Sequence, residues 1–148
     1  MNERVKKLFS TEKYYMAFVE FLLLQKRMIV NTGLSYGLTP MQTIALLAID
    51  EPRPMYYITA LLNCDASNVT GIIDGLQKKD LALRYEDKQD RRIRMVRLKA
   101  KGLNLRLKLI DELLDNNNPI FSKLTESELD TLFEIIEKIT QPPDDKTL

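Results

Sequence analysis

Histidine and tryptophan are both absent from this chain of 148 residues, and cysteine occurs once. Without histidine the commonest zinc and copper ligand is missing. So are the usual general base and the Ser–His and Cys–His nucleophile pairs. An enzyme would have to work with Asp, Glu, Lys or Tyr, and no convergent set of these is visible in the sequence. The expectation is therefore a non-enzyme with no metal site and no cofactor. The single Cys64 excludes an internal disulfide and fits a reducing compartment. Long apolar runs are also lacking: Tyr14 to Val30 is broken by Glu20, Gln25, Lys26 and Arg27, too short and too polar to span a bilayer. The N-terminus does not read as a secretion signal. A cytoplasmic protein with no membrane partner is expected.

What the chain does contain is an uneven charge distribution. The total is only +1. Residues 1–77 hold 7 positive and 7 negative charges, residues 78–108 hold 12 and 4, and residues 109–148 hold 3 and 10. A band of net +8 thus lies between a neutral front and a tail of net −7. Such asymmetry is the footprint of a polyanion-binding surface more than the total is, although a solvated charged face would give the same count. Length and a 45 % hydrophobic content suit a single domain with a real core.

The periodicity predicts a helix over about 12–30, apolar on most of its circumference, which needs cover on every side. A second copy of the chain is the simplest cover. "LTPMQTIALLAIDE" opens with Thr39 as N-cap, Pro40 in the first helical position and Gln42 three residues after the cap, a capping box with a helix-starting proline. "DEPRP" at 50–54 ends that helix, and a short one over roughly 55–63 follows, with Ile58, Leu61 and Leu62 inward. Asp65 then caps a helix in which Val69, Ile72, Ile73 and Leu76 share one face. Ser67, Asn68, Thr70, Gly71, Asp74 and Gly75 lie on the other. Glycine costs about 1 kcal/mol relative to alanine inside a helix. Two outward glycines therefore either admit something close to the backbone or are simply tolerated.

After Lys79 the period changes to two. Leu81, Leu83 and Tyr85 alternate with Ala82, Arg84 and Glu86. Beyond "DKQDRR", Arg94, Val96 and Leu98 alternate with Ile93, Met95 and Arg97. This predicts an antiparallel hairpin with the charges in its loop. A long helix resumes from Lys99, with stripes Leu103–Leu107–Ile110–Leu114 and Leu105–Leu109–Leu113, and stops at "NNNP". A last helix starts at the capping box Thr125 to Glu128, with Leu124 and Leu129 as staple, and ends at "QPPDD". Short helices, a turn, a third helix and a basic hairpin make a winged helix-turn-helix. One helix fits the major groove, its predecessor braces it, and the hairpin reaches phosphates or the minor groove.

The stretch "LNCDASNVTGIIDGLQKKDLALRYEDKQDRRIRMVRLKAKG", 62–102, resembles the multiple-antibiotic-resistance regulator (MarR) family of transcription factors. The family's wing reads D-x-R, five residues, then L-T and a glycine three further on, and Asp90, Arg92, Leu98 and Gly102 fall at that spacing. Its recognition helix pattern is met by Asn68, Val69, Thr70, Ile72, Ile73, Asp74 and Leu76. The chain departs from the pattern at Gly71 and Gly75, where larger residues are common, at Asp80 for a usual glycine, and at Lys99 for a usual threonine. The bracing helix also lacks the usual Glu-Leu-Ala pattern.

The resemblance implies a mainly α fold with a small antiparallel β-hairpin wing. It further implies one domain over 1–148, with 38–102 as the DNA-binding lobe and 1–34 and 103–148 as dimerisation helices. The implied function is sequence-specific regulation of transcription by a homodimeric repressor on a pseudo-palindromic operator, released by a small aromatic effector. Arg92 would enter the minor groove, with Asp90 orienting its guanidinium. Arg91 and Arg94 would take phosphates, and Ser67, Asn68, Thr70 and Gly71 would meet the major groove, Asn68 reading adenine. Tyr14, Tyr15, Phe18, Tyr36 and Met41 are candidates for the effector pocket, with ordinary core packing as the alternative. Cys64 is expected to be a buried, inert thiol. A winged-helix interaction module that has lost specific DNA binding is the competing reading.

Overall fold

The computed structural model describes residues 3–115 and 118–140, and within the first helix the side chains of residues 4–10 are not described. The chain divides into two compact units, Met1–Glu112 and Leu113–Leu148.

The first unit opens with helix α1, Glu3–Ser35, longer than the expected 12–30 at both ends. It stops at Gly37, whose φ of +70° closes a left-handed cap. The N–H of Leu38 reaches Gly33 O at 3.1 Å and that of Gly37 reaches Leu34 O at 3.0 Å, which satisfies carbonyls the helix leaves unpaired. Helix α2, Pro40–Ala48, starts as its sequence requires. Thr39 Oγ1 accepts from Gln42 N–H at 3.3 Å, and Gln42 Oε1 accepts from Thr39 N–H at 3.2 Å. Such a cap is worth about 1 kcal/mol.

After α2 the chain does what the sequence reading did not anticipate: Arg53–Pro54 forms a short strand, β1. Helices α3, Met55–Leu62, and α4, Ala66–Lys78, follow, then strands β2, Ala82–Glu86, and β3, Arg94–Leu98. The sheet is three-stranded in the order β1–β3–β2, antiparallel throughout, with Arg53 opposite Val96 and Ala82 opposite Leu98. The expected hairpin is thus real but is widened by an edge strand. Pro54 is tolerated there because an edge position needs no ladder donor.

The core of this unit gathers Leu46 and Ile49 around α2, Ile58 from α3, Val69, Ile73 and Leu76 from α4, and Val96 and Leu98 from β3. Each side chain of this kind contributes about 1.5–3 kcal/mol on burial. Leu61, expected inward, is instead 51 % exposed, because it points away from the face on which Ile58 and Leu62 meet the core. Helix α5, Ala100–Leu114, buries Gly102 and Leu109. Its Leu103, Leu107 and Leu114 stripe is exposed. A Cβ on Gly102 would run into the backbone carbonyl of Leu81, so only glycine lets α5 start this close to the strand. Arg106 Nε fastens α5 to α2 by donating to Leu47 O at 3.0 Å.

The second unit contains a short helix, α6, Pro119–Lys123, that the sequence reading missed. The buried Asn118 caps it, accepting from Ile120 N–H at 3.0 Å and donating to Leu113 O at 2.7 Å. Helix α7, Glu126–Thr140, begins at the expected box, with Glu128 Oε2 accepting from Thr125 N–H at 2.8 Å. These bonds hold the Glu128 carboxyl below its ordinary range. Phe133, Ile135, Ile136 and Ile139 are exposed along α7. The stop expected at "QPPDD" lies outside the described residues, as do Asn116 and Asn117 of "NNNP".

Candidate nucleic-acid interface

Helix α4 buries Val69, Ile73 and Leu76, with Ile72 half-buried against the same core. This fixes its opposite face outward, as the sequence spacing requires. Ser67, Asn68 and Gly71 are exposed, while Thr70 is half-buried with its hydroxyl turned back to Ala66 O at 2.9 Å. Asp65 takes the N-cap position, its carbonyl accepting from Val69 N–H at 3.0 Å, but its carboxylate makes no cap bond. The unpaired N–H groups of the first turn stay available to an anion.

The two glycines of α4 have different causes. A Cβ on Gly71 would meet no atom within 4 Å, so that position is open. A Cβ on Gly75 would collide with the side-chain amide of Gln42, whose Cδ lies 3.4 Å away. The expectation that both glycines face a binding partner is therefore corrected at Gly75. What comes close to that backbone is α2.

The wing loop, residues 87–93, is folded on itself by its own acids. Asp87 Oδ1 accepts the N–H groups of Gln89 at 2.7 Å and Asp90 at 3.0 Å. Those two bonds, Asp90's first, hold its carboxyl below the ordinary value of 3.8. Asp90 Oδ1 accepts the backbone N–H of Arg92 at 3.0 Å. Asp90 therefore fixes the chain at Arg92. Arg91 and Arg92 are exposed, and among the described residues neither forms an ion pair.

The strand arginines are partnered. Arg94 meets Glu86 at 2.9 Å across the β2–β3 pair, and Arg84 meets Asp74 at 3.1 Å, tying the wing to α4. The turn between α4 and β2 is held by Asp80, at φ +63°, and its ion pair with Lys99. That contact, with the neighbouring Lys101, keeps the Asp80 carboxyl below its ordinary 3.8. Lys99 and Asp80, two of the departures from the resembled pattern, thus form a pair with each other. On the edge strand β1, Arg53 binds Asp50 at 3.0 Å and stacks 4.8 Å above the Tyr57 ring.

Clefts open among the described residues of this unit. One of about 450 Å³ lies between α3, α4 and the sheet, lined by Met55, Tyr56, Thr70, Arg84 and Arg94. A second, of about 420 Å³, is lined by Met41, Gln42, Cys64, Asn68 and Gly71. A third, of about 490 Å³, carries Tyr36, Lys101, Asn104 and Lys108. The Tyr36 hydroxyl donates to Glu112, which raises its pKa. The five effector candidates are not brought together. Tyr36 and Met41 line different clefts, and Tyr14, Tyr15 and Phe18 stand exposed on α1, Tyr14 at 75 %. Cys64 is half-buried, its thiol 3.2 Å from Leu62 O.

Among the described residues no three His, Cys, Asp or Glu side chains stand close enough to hold a metal ion. No helix among them is long and apolar enough to cross a membrane.

Several solved proteins share this architecture. Apo MarR from E. coli superposes with a TM-score of 0.67 at 19 % identity, covering 88 % of this chain and 96 % of that one. A mutant of the same protein complexed with operator DNA gives 0.67 at 20 % identity, covering 90 % and 99 %. The transcriptional regulator BldR from Sulfolobus solfataricus gives 0.68 at 26 % identity, covering 94 % and 97 %. No curated protein matches the sequence. The MarR family model matches residues 38–93, from just before α2 through the wing loop. Over those residues the chain is similar to the MarR family, and its fold is that of the solved MarR-type regulators.

Proposed function

We propose that this chain is a sequence-specific DNA-binding regulator of transcription, working in the cytoplasm as a homodimeric repressor released by a small ligand. The observation that carries the reading is the pair Arg91 and Arg92. Both are exposed and without ion-pair partners among the described residues, on a loop stiffened by Asp87 and Asp90. Unpartnered guanidinium groups on a braced loop suit a phosphate backbone or a narrow minor groove. Beside them α4 offers Ser67, Asn68, Thr70 and the open backbone at Gly71 to the major groove, with Asn68 as the adenine reader. Arg94 shares its charge with Glu86 through Nη1, which leaves its remaining N–H donors for a phosphate. A protein of the same fold, the E. coli MarR mutant, was solved complexed with operator DNA, which supports DNA as the partner.

In this reading 38–102 is the DNA-binding lobe, and the segments 1–34 and 103–148 pair two copies. Support for pairing comes from apolar side chains left uncovered in one chain. Tyr14, Tyr15, Phe18, Leu22 and Leu23 are exposed on α1, and Phe133, Ile136 and Ile139 on α7. Of the effector candidates, Tyr14, Tyr15 and Phe18 lie on the stretch of α1 that the second copy covers, while Tyr36 and Met41 line separate clefts. The test is fluorescence anisotropy on duplex DNA at several salt concentrations, comparing the parent with Arg92→Ala. Strong weakening is the expected result, and unchanged affinity removes the wing from the mechanism. The competing interaction-module reading draws on Gly71, which offers no side chain to a base. It requires that the parent discriminate no duplex from any other.

A further inference from the structure

Helix α2 is clamped between two other helices at points where each lacks a Cβ. Toward α1, a Cβ on Gly33 would overlap the Thr43 side chain. Toward α4, a Cβ on Gly75 would overlap the Gln42 amide. Thr43 and Gln42 are adjacent, both buried, and both tied to the start of α2. Thr43 Oγ1 donates to Thr39 O at 3.0 Å, and Gln42 Oε1 accepts from Thr39 N–H at 3.2 Å.

The bond to Thr39 decides how stiff the contact is. A free glutamine would swing its amide away from an intruding methyl. Gln42 cannot do so without opening the capping box, and it is only 9 % exposed. The amide therefore acts as a fixed stop against which α4 rests. On the same helix, one turn before Gly75, sits Gly71, and Asp74 beside Gly75 holds the wing through Arg84 at 3.1 Å. A shift of α4 on its stop moves the exposed face of the helix and the tether to the wing together.

We propose that Gln42 is a positioning residue for the recognition helix, seating α4 at Gly75 and so setting how sharply the lobe distinguishes one duplex from another. The inference rests on the DNA-binding reading above and deepens it. Base contacts are made within hydrogen-bond distances of about 2.7–3.2 Å and weaken steeply with displacement. Phosphate contacts from long, mobile arginines follow a displaced helix far more easily. A misplaced α4 thus loses discrimination before it loses affinity for DNA in general.

The experiment uses the full chain and two duplexes: one selected by the parent from a random pool, and a scrambled duplex of equal length and composition. The quantity is the affinity ratio between them. In Gly75→Ala the ratio falls about tenfold, the size of one lost base contact, while affinity for the scrambled duplex and its salt slope hold. Gln42→Ala removes the stop without adding bulk to α4, so it reads the same claim should Gly75→Ala not fold, and its ratio falls too. Gly75→Ala combined with Gln42→Ala moves the bulk from one helix to the other and recovers most of the ratio, as coupled neighbours do. An unmoved ratio in the single variants overturns the proposal. So does an equal loss on both duplexes, or a double variant no better than the worse single one. A parent with no preference between duplexes instead overturns the DNA-binding reading beneath it.

Discussion

Replacing Gly71 with alanine separates the two demands made on α4. A Cβ there meets no atom within 4 Å, so nothing in the fold opposes it. The substitution removes the entropic penalty of glycine inside a helix, a gain of about 1 kcal/mol. For a chain of this size that corresponds to a rise in Tm of about 2–4 °C. Urea unfolding followed by circular dichroism, at one fixed protein concentration because a dimer's stability depends on it, measures the gain directly. If Gly71 is kept so that a duplex can approach the helix backbone, the same variant binds its selected duplex less tightly while being more stable. A variant less stable than the parent would refute the open environment of Gly71. One that is more stable and binds DNA unchanged would refute close approach as the reason for the glycine.

Gly102→Ala has the opposite sign. Its Cβ runs into the Leu81 carbonyl, which already accepts from Lys99 N–H at 2.9 Å, so α5 or the strand must shift at a cost of about 1–3 kcal/mol. Thermal unfolding of the variant checks this, and an unchanged Tm contradicts it. Arg91→Ala is expected to lower the slope of log affinity against log salt by about one per lost phosphate contact. Anisotropy across a salt series reads that slope. Asp80 and Asp87 have carboxyls held below 3.8 in the fold by Lys99 and by backbone N–H groups respectively. Because the folded value lies below the unfolded one, their contribution is present above the unfolded value and is lost as pH falls through the folded one. Urea midpoints measured downward from neutral pH should therefore decline below 3.8, and less steeply in Asp87→Asn. Sedimentation at micromolar concentration should give a dimer.

Local signals in the sequence marked the elements that local chemistry decides. Thr39, Pro40 and Gln42 announce the start of α2, and Thr125 with Glu128 the start of α7, because a capping box is closed within four residues. The change to period two after Lys79 announces β2 and β3. Non-local features were not legible. Strand β1 exists only through pairing with β3 more than forty residues away, and its Pro54 disguises it. The length of α1 depends on where Gly37 can close the helix, which hydrophobic spacing does not report. The roles of the glycines separate for the same reason. Gly71 and Gly75 lie on neighbouring parts of one face, and only the approach of α2 tells an open position from a packed one. The bond from the Arg92 backbone N–H to Asp90 was not announced by the spacing of the wing. The short reach of an aspartate favours the backbone N–H two residues on. Among the candidate site residues, the spacing of α4 anticipated which side chains face outward. It carried no information on Tyr36 and Met41, which come from separate elements and end in separate clefts.

The central claim, that this lobe reads DNA sequence as a symmetric pair, is tested most directly by selecting duplexes from a random pool with the purified protein. The account predicts enrichment of two inverted half-sites with centres about one helical turn apart. A pool that stays random after repeated rounds, or one enriched in a single unpaired half-site, would contradict it.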